Sequence, residues 1–537
     1  MFLRPTMPTE LTGSTIPSSL FGTASVQFSL KDIDDFPYSD FTTLQGYYDE
    51  LDTWYTGVVL NETQTQGDKE VELYPLHLNP IRPALMKHVY TLFGEIPDNH
   101  YGSLVSPRVV VRDSKPEANE AQRVENFIQD VFSDNGGASL QQENAIISQI
   151  FGGCVFKVSW VADQDDPKTG HIGIEKVLPE EFMCIPYMNN PWRLRKAWII
   201  RPIDQFTAAQ FGVTLVGLTG WYIEAWTETD YKISINDSPI MQQYGDDLYA
   251  LEGSNPFGIV PFVYIPHERA TSFWGTSLIT EAVKGITKEK NARVADAGDA
   301  TSDESHSLLV MRNVRGSPTM KRIGRHIPVI DIGTGQNITG QTEPDLFSVK
   351  RASLSESMLT LTKDLHAEFR REVFVPAVAD GEDEGSQRSG ATLANRMWPL
   401  VSHTKAERVH WSTGMGVIFR LILIIASVKK LGNITSADLK YRIRCKWYAS
   451  LPRDREQLSA ELTSRAAQKL GSIEHLTDMF GDVDDLNDDM EKQKEWMMFE
   501  AEVKKAGAPD PVIPSIPTSE KPKTSAVKSP AVTPKKD

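Results

Sequence analysis

The strongest constraint in this sequence is a helical apolar pattern over residues 391–431 that contains a proline and follows an acidic, glycine-rich segment. Leu393, Met397 and Leu400, then Trp411, Met415, Ile418, Ile422 and Ile425, recur at three- and four-residue steps. That spacing lays side chains along one face of a helix, and Gly432-Asn433 supplies its stop. At 1.5 Å per residue such a helix spans about 60 Å, roughly twice the diameter of a small domain. One compact domain cannot cover it, so its sides call for partners, and a ring of identical subunits is one way to supply them. Pro399 lies inside the pattern, and its missing donor and its clash with the preceding turn predict a kink there.

Upstream, Leu354, Met358, Leu361, Leu365 and Phe369 predict another helix, which ends at Val375-Pro376. Residues 377–390 read AVADGEDEGSQRSG. Glycines and the run Asp380, Glu382, Asp383 and Glu384, followed by Gln387 and Arg388, cannot bury an apolar face, so a mobile, solvated loop is expected. Residues 276–301 predict a helix with Ile279, Val283, Ile286, Val294 and Ala297 on or near one face. Residues 307–345 are strand-like and rich in turns, which places a small β module between two helices.

This order of helix, acidic loop and long proline-kinked helix, with SGATLANRM at the junction (residues 389–397), resembles the portal proteins, or head-to-tail connectors, of tailed double-stranded DNA bacteriophages. FWGTSLITEAVKGITKEKN (residues 273–291) is similar to the segment that leads into that family's first stem helix. RCKWYASLPRDREQ (residues 444–457) is similar to the strand and Pro-Arg-Asp turn that precede its crown. The likeness covers roughly residues 79–505 and rests on the order of segments rather than on one motif.

The resemblance implies an α+β portal fold assembled as a ring. In this sequence the parts would be an N-terminal arm (1–79), an α/β wing (80–271, completed by 433–457) and a first stem helix (272–304). A β-containing clip (305–349), a second stem helix (350–376), a tunnel loop (377–390), the long kinked helix (391–432) and a helical crown (458–505) would come next, ahead of a disordered tail (506–537). Asp380, Glu382, Asp383, Glu384, Gln387 and Arg388 would face DNA from the tunnel loop. Lys284, Lys288, Lys290 and Arg293 would be stem residues able to reach the lumen, and Arg312, Arg315, Lys321, Arg322 and Arg325 would belong to the clip. The implied partners are further copies of the chain in a dodecamer, double-stranded DNA, the terminase large subunit, the head-completion adaptor, and the major capsid and scaffolding proteins. The implied place is the portal vertex of the virion, reached from the host cytoplasm during assembly.

Composition fits a conduit better than a clamp. A formal net charge of −16 argues against a surface that grips nucleic acid everywhere, and a wall that repels phosphates suits a channel. Forty per cent hydrophobic residues are enough for substantial cores in a globular chain of several domains. Cys154, Cys184 and Cys445 are too few and scattered for a disulfide framework and form no CxxC pair, which points to a reducing compartment. The first twenty residues lack the continuous apolar core of a secretory signal. The most apolar run, residues 416–428, is interrupted by Arg420 and is too short to span a bilayer. No membrane partner is expected.

Chemistry is not prominent. GTGQNITG at Gly333 lacks the Gly-Lys-Ser/Thr ending of a phosphate-binding loop and reads as a turn. His403 and His410 have no acidic partner in an HExxH frame and read as surface or packing histidines. The acidic cluster Asp482, Asp484, Asp485, Asp488 and Asp489 lacks the glycine and glutamate register of a calcium loop. The expectation is therefore no catalytic residue, no metal and no cofactor. The competing readings are another ring-forming virion component, such as an adaptor or tail protein, and a nucleic-acid-processing enzyme.

Overall fold

The computed structural model describes residues 35–58, 64–66, 69–71, 78–94, 102–110, 118–163, 169–211, 219–236, 238–244, 247–270, 272–305, 308–312, 329–332, 345–349, 356–382 and 395–450, with a few isolated positions besides. Contacts divide the chain into residues 1–452 and 453–537. The second unit, which holds the expected crown and tail, lies outside the described residues apart from Ser464.

The helical layer of the first unit begins with α1 (Tyr38–Thr56), which Gly57 closes in the left-handed conformation. Phe41, Tyr48, Leu51 and Trp54 of α1 are buried, so this part of the expected arm packs into the body of its own chain. A short hairpin, β1 (Gln64–Gln66) and β2 (Lys69–Val71), leads to α2 (Ile81–Phe93) and β3 (Ser106–Val110). Two further helices, α3 (Ala118–Asp134) and α4 (Gly137–Phe151), complete the layer. Asn79 sets the start of α2, because its side chain accepts from the Ile81 amide and donates to the Trp54 and Tyr55 carbonyls at the end of α1.

The strands come after this layer. β4 (Gly153–Ala162) lies between β5 (Gly170–Val177) and β14 (Phe262–Pro266) in an antiparallel sheet. A second antiparallel sheet runs from β6 (Phe182–Tyr187) through β7 (Asn190–Asp204), β8 (Thr219–Thr227) and β9 (Asp230–Ile235) to β10 (Ser238–Pro239). The six-residue helix α5 (Gln205–Gln210) follows β7, capped by the Asp204 carboxylate on the Thr207 amide. The hairpin β11 (Met241–Tyr244) and β12 (Asp247–Ala250) stands apart, and β13 (Glu252–Ser254) pairs with β9.

Beyond the sheets come α6 (Glu281–Ser305), a three-stranded sheet and α7 (Glu356–Glu372). In that sheet β15 (Leu308–Arg312) lies between a parallel β16 (Val329–Ile332) and an antiparallel β17 (Asp345–Val349). The two flanking helices contact each other. The last elements are α8 (Trp398–Lys429) and β18 (Arg442–Lys446), which pairs antiparallel with β3. The helical layer thus takes one strand partner, for β3, from beyond α8.

α8 is the axis of the main core. Trp411 meets Phe93 and Phe156 edge to face at 5.7 and 6.1 Å, and Phe419 meets Phe132 at 5.9 Å. By length and composition α8 could cross a membrane, yet Met415, Ile418, Leu421, Ile422, Leu423, Ile425 and Ala426 are buried inside the protein. The helix is shorter than the apolar pattern suggested. Residues 395–396 are helical, Met397 forms a turn, and α8 proper starts at Trp398 with Pro399 in its first turn. The Met397 amide still bonds the Leu393 carbonyl at 3.0 Å, and the Val401 amide bonds the Met397 carbonyl at 3.0 Å. Pro399 therefore lies in the first turn of α8, where a helix tolerates proline best.

Two glycines separate packing from propensity. A Cβ on Gly414 of α8 would lie 2.4 Å from Cγ1 of the fully buried Ile265 on β14, whereas one on Gly285 of α6 would meet nothing within 4 Å. Gly414→Ala should therefore lose about 1–3 kcal/mol by overpacking, and Gly285→Ala should gain up to about 1 kcal/mol from helix propensity. Urea unfolding of the two variants checks both signs, and a destabilised Gly285→Ala would contradict the open surroundings of that glycine.

Candidate functional site

The expected tunnel loop begins in a different state from the one its composition suggests. α7 ends on the buried Phe369 and Val373, and Phe374 turns the chain with a positive φ of 54°. Pro376 then starts a 3-10 turn over Ala377–Asp380, closed by Gly381 at φ 76°. The Glu382 amide bonds the Ala377 carbonyl at 3.2 Å, which folds the acidic segment back on itself. Residues 377–382 are thus a formed turn, with Asp380, Gly381 and Glu382 at the surface.

Both described acids of this turn are occupied within the chain. Asp380 pairs with Lys87 of α2 and lies 3.7 Å from the Arg370 guanidinium of α7. Glu382 pairs with Arg370 and lies 3.7 Å from Nε2 of His366. The Arg370 hydrogen bond, with its charge and that of His366, holds the Glu382 carboxyl below the usual glutamate range. Nζ of Lys290 on α6 meets Nδ1 of His366 at 3.1 Å. Burial lowers the Lys290 ammonium, and the neighbouring Arg370 adds to that. Burial likewise lowers His366, helped by Lys290 and Arg370. Four basic side chains from α2, α6 and α7 therefore converge on two acids. Their mutual neutralisation pins the turn to the helices. Asp383, Glu384, Gln387 and Arg388 lie outside the described residues.

The cations expected in a first stem helix are similarly committed. Lys284 is buried and bonds Glu50 of α1 and Glu281 at 2.7 Å each, with its ammonium 5.9 Å from the Tyr47 ring. Lys288 lies over Trp54 of α1 at 5.3 Å. Arg293 pairs along its own helix with Glu289 and Asp296. Lys284 and Lys288 thus hold α6 against α1. Of the residues expected in a clip, Arg312 ends β15 opposite Asp345 of β17 and Ile332 of β16. Arg315, Lys321, Arg322 and Arg325 lie outside the described residues.

A second polar cluster was not anticipated. His403 stacks on Phe374 at 4.6 Å and stands 5.0 Å from the His88 ring and 5.4 Å from the His267 ring, so of the two expected readings it is a packing histidine. His88 and His267 are fully enclosed, and burial pushes them down to about 3 and about 4 respectively, with His403 adding to both. Glu407, one turn beyond His403 on α8, is also buried, which drives its carboxyl up to about 8 against the Gln149 amide that bonds it. The sequence held one signal for this group: His403 and Glu407 are four residues apart and share a helix face. Nothing local marks His267 or His88 as their partners, since tertiary contact alone joins them.

No protein-family model matches the chain, and a search of curated proteins found no similar sequence. Geometry and sequence pattern therefore carry the functional reading.

The acidic turn makes one direct prediction. Arg370→Met removes the group that most lowers Glu382, so the Glu382 carboxyl, followed by NMR titration, should rise toward its ordinary range. An unchanged Glu382 titration would mean that the Arg370 contact does not persist in solution.

Proposed function

We propose that this chain is a portal subunit: one of a ring, dodecameric by resemblance, at a single capsid vertex of a tailed bacteriophage. Such a ring would pass double-stranded DNA inward under terminase power and outward at ejection. It would dock the terminase large subunit first and the head-completion adaptor later. Its assembly contacts would be with the major capsid and scaffolding proteins. The chain itself would make and break no bond.

The observation that carries this reading is one arrangement. α6 and α7 lie against each other, bracket the sheet β16-β15-β17, and are followed directly by an acidic turn and the core helix α8. Helix, small sheet, helix, turn and long helix is the order that the resemblance assigns to stem, clip, stem, tunnel loop and kinked helix. A second feature supports assembly. Leu359 and Leu361 of α7, Phe374 at its end, and Trp398 and Val409 of α8 are large apolar side chains left exposed by the single chain. Neighbouring copies in a ring would cover such surface.

The ion pairs change the electrostatic part of the proposal. Since Asp380 and Glu382 neutralise bases of their own chain, their main task would be to fix where the turn projects rather than to repel phosphates. Repulsion along the lumen would then come from the net charge of −16 distributed over each subunit.

The decisive experiment is end-on electron microscopy of the purified chain together with a mass measurement. A ring with a central hole and, for about twelve chains of 60.0 kDa, a mass near 0.7 MDa is expected. A monomer at micromolar concentration, with no central hole in any particle, would overturn the assignment. Replacing residues 308–349 with a short Gly-Ser linker should leave the wing folded and abolish docking of terminase and adaptor, because α6 and α7 contact each other without the sheet. Docking at wild-type affinity would place the interface elsewhere.

A further inference from the structure

We propose that His267, His403 and Glu407 bind a divalent transition-metal ion of the zinc type, which fastens the segment leading into α6 to the core helix α8. One nitrogen of each imidazole and one carboxylate oxygen of Glu407 lie within 4.8 Å of one another. His267 follows β14 on the way to α6, whereas His403 and Glu407 project from one face of α8. The three donors therefore join segments far apart in sequence.

The hydrogen bonds around the group leave the donor atoms free in the way a metal requires. Nδ1 of His267 faces the Thr276 carbonyl at 3.0 Å, and a carbonyl only accepts, so Nδ1 carries the proton and Nε2 keeps its lone pair. Nε2 of His267 is buried without a hydrogen-bond partner, and so is Nδ1 of His403. An imidazole held by a backbone carbonyl through one nitrogen and bare at the other is the usual posture of a histidine ligand. The Gln149 amide donates to both Glu407 oxygens at 3.0 and 2.9 Å, which orients the carboxylate and leaves it lone pairs to spend on a cation. His88 adds a further bare nitrogen beside His403. Its Nε2 donates to the Val373 carbonyl at 2.7 Å, and its buried Nδ1 has no partner.

The donor set selects the metal class. Two imidazoles and one carboxylate suit zinc and its neighbours, whereas calcium and magnesium take shells of oxygen. Bonds to such an ion are about 2.0–2.2 Å long, so the set would contract by small side-chain rotations as the ion entered. His267 and Glu407 are each only 2% exposed, which leaves no approach for a phosphodiester or other large substrate. The ion would be structural. It would supply the positive charge that a buried carboxylate otherwise lacks.

The test uses the full chain, stripped with a chelator and titrated with zinc by calorimetry and with cobalt(II) by visible absorption. One ion per chain is expected, with the visible bands of a low-coordinate cobalt site and a melting temperature that zinc raises and chelator lowers. His403→Asn and Glu407→Gln should abolish binding. Gln149→Leu, which touches the carboxylate but supplies no ligand, should weaken it about 10–100-fold. His171→Ala, on an exposed edge of β5, should leave it intact. Folded wild-type chain that takes up neither metal overturns the proposal whatever the variants do. So does one-to-one binding that survives in both His403→Asn and Glu407→Gln. The stoichiometry is read per chain, so it stands or falls independently of whether the chain forms a ring.

Discussion

Burial of α8 is the interaction on which the rest of the unit depends. The helix touches α2, α3, β4, β5, β14 and β18, so the helical layer, the central sheet and the returning strand all share it as a common wall. A fully buried tryptophan is worth several kcal/mol against alanine, about 3–5 by the usual measure, and Trp411 is buried with aromatic neighbours from both α2 and β4. The same helix carries polar groups into the interior. Glu407 and Thr404 are buried among its apolar residues, and Arg408 reaches back to the Thr91 and Leu92 carbonyls at the end of α2. Those carbonyls would otherwise be orphaned at a helix terminus, so the arginine closes α2 while α8 packs against it.

How α8 begins explains the behaviour of the turn before it. The helical run breaks at Met397, and Pro399 takes the first turn of α8, where its fixed φ suits a helix start. α7 ends with the same economy. Val373 and Val375 are buried while Phe374 between them turns outward in the left-handed region, where His403 stacks on its ring. The acidic turn is thereby held at its start by apolar anchors and further on by Lys87 and Arg370. A segment whose composition reads as solvated becomes ordered because the bases that neutralise it come from elements distant in sequence.

That contrast shows what sequence could and could not reveal. Periodicity located α6, α7 and most of α8, because the 3.6-residue repeat is a local property. The strand-like character of residues 307–345 announced β15 and β16 for the same reason. The candidate site divides along the same line. The acidic residues at 380 and 382 were visible as charge, but their pairing with Lys87, Lys290, His366 and Arg370 is set by how three helices meet. The histidine group was legible only as one i, i+4 pair, since two of its members arrive from α2 and from the segment after β14.

The pairing of β18 with β3 has a consequence for how the chain is made. Arg442 lies opposite Val110. During synthesis at about 5–20 residues per second, the roughly 330 residues between them take some 15 to 70 seconds to emerge. Throughout that interval β3 presents an open edge and α2, α3 and β4 lack their shared wall. Newly made chains would thus spend a long window with apolar surface and an unpaired strand exposed together, the state in which nascent proteins aggregate or require a chaperone. Supply of this protein would be limited by the survival of that half-finished intermediate, not by the stability of the finished fold.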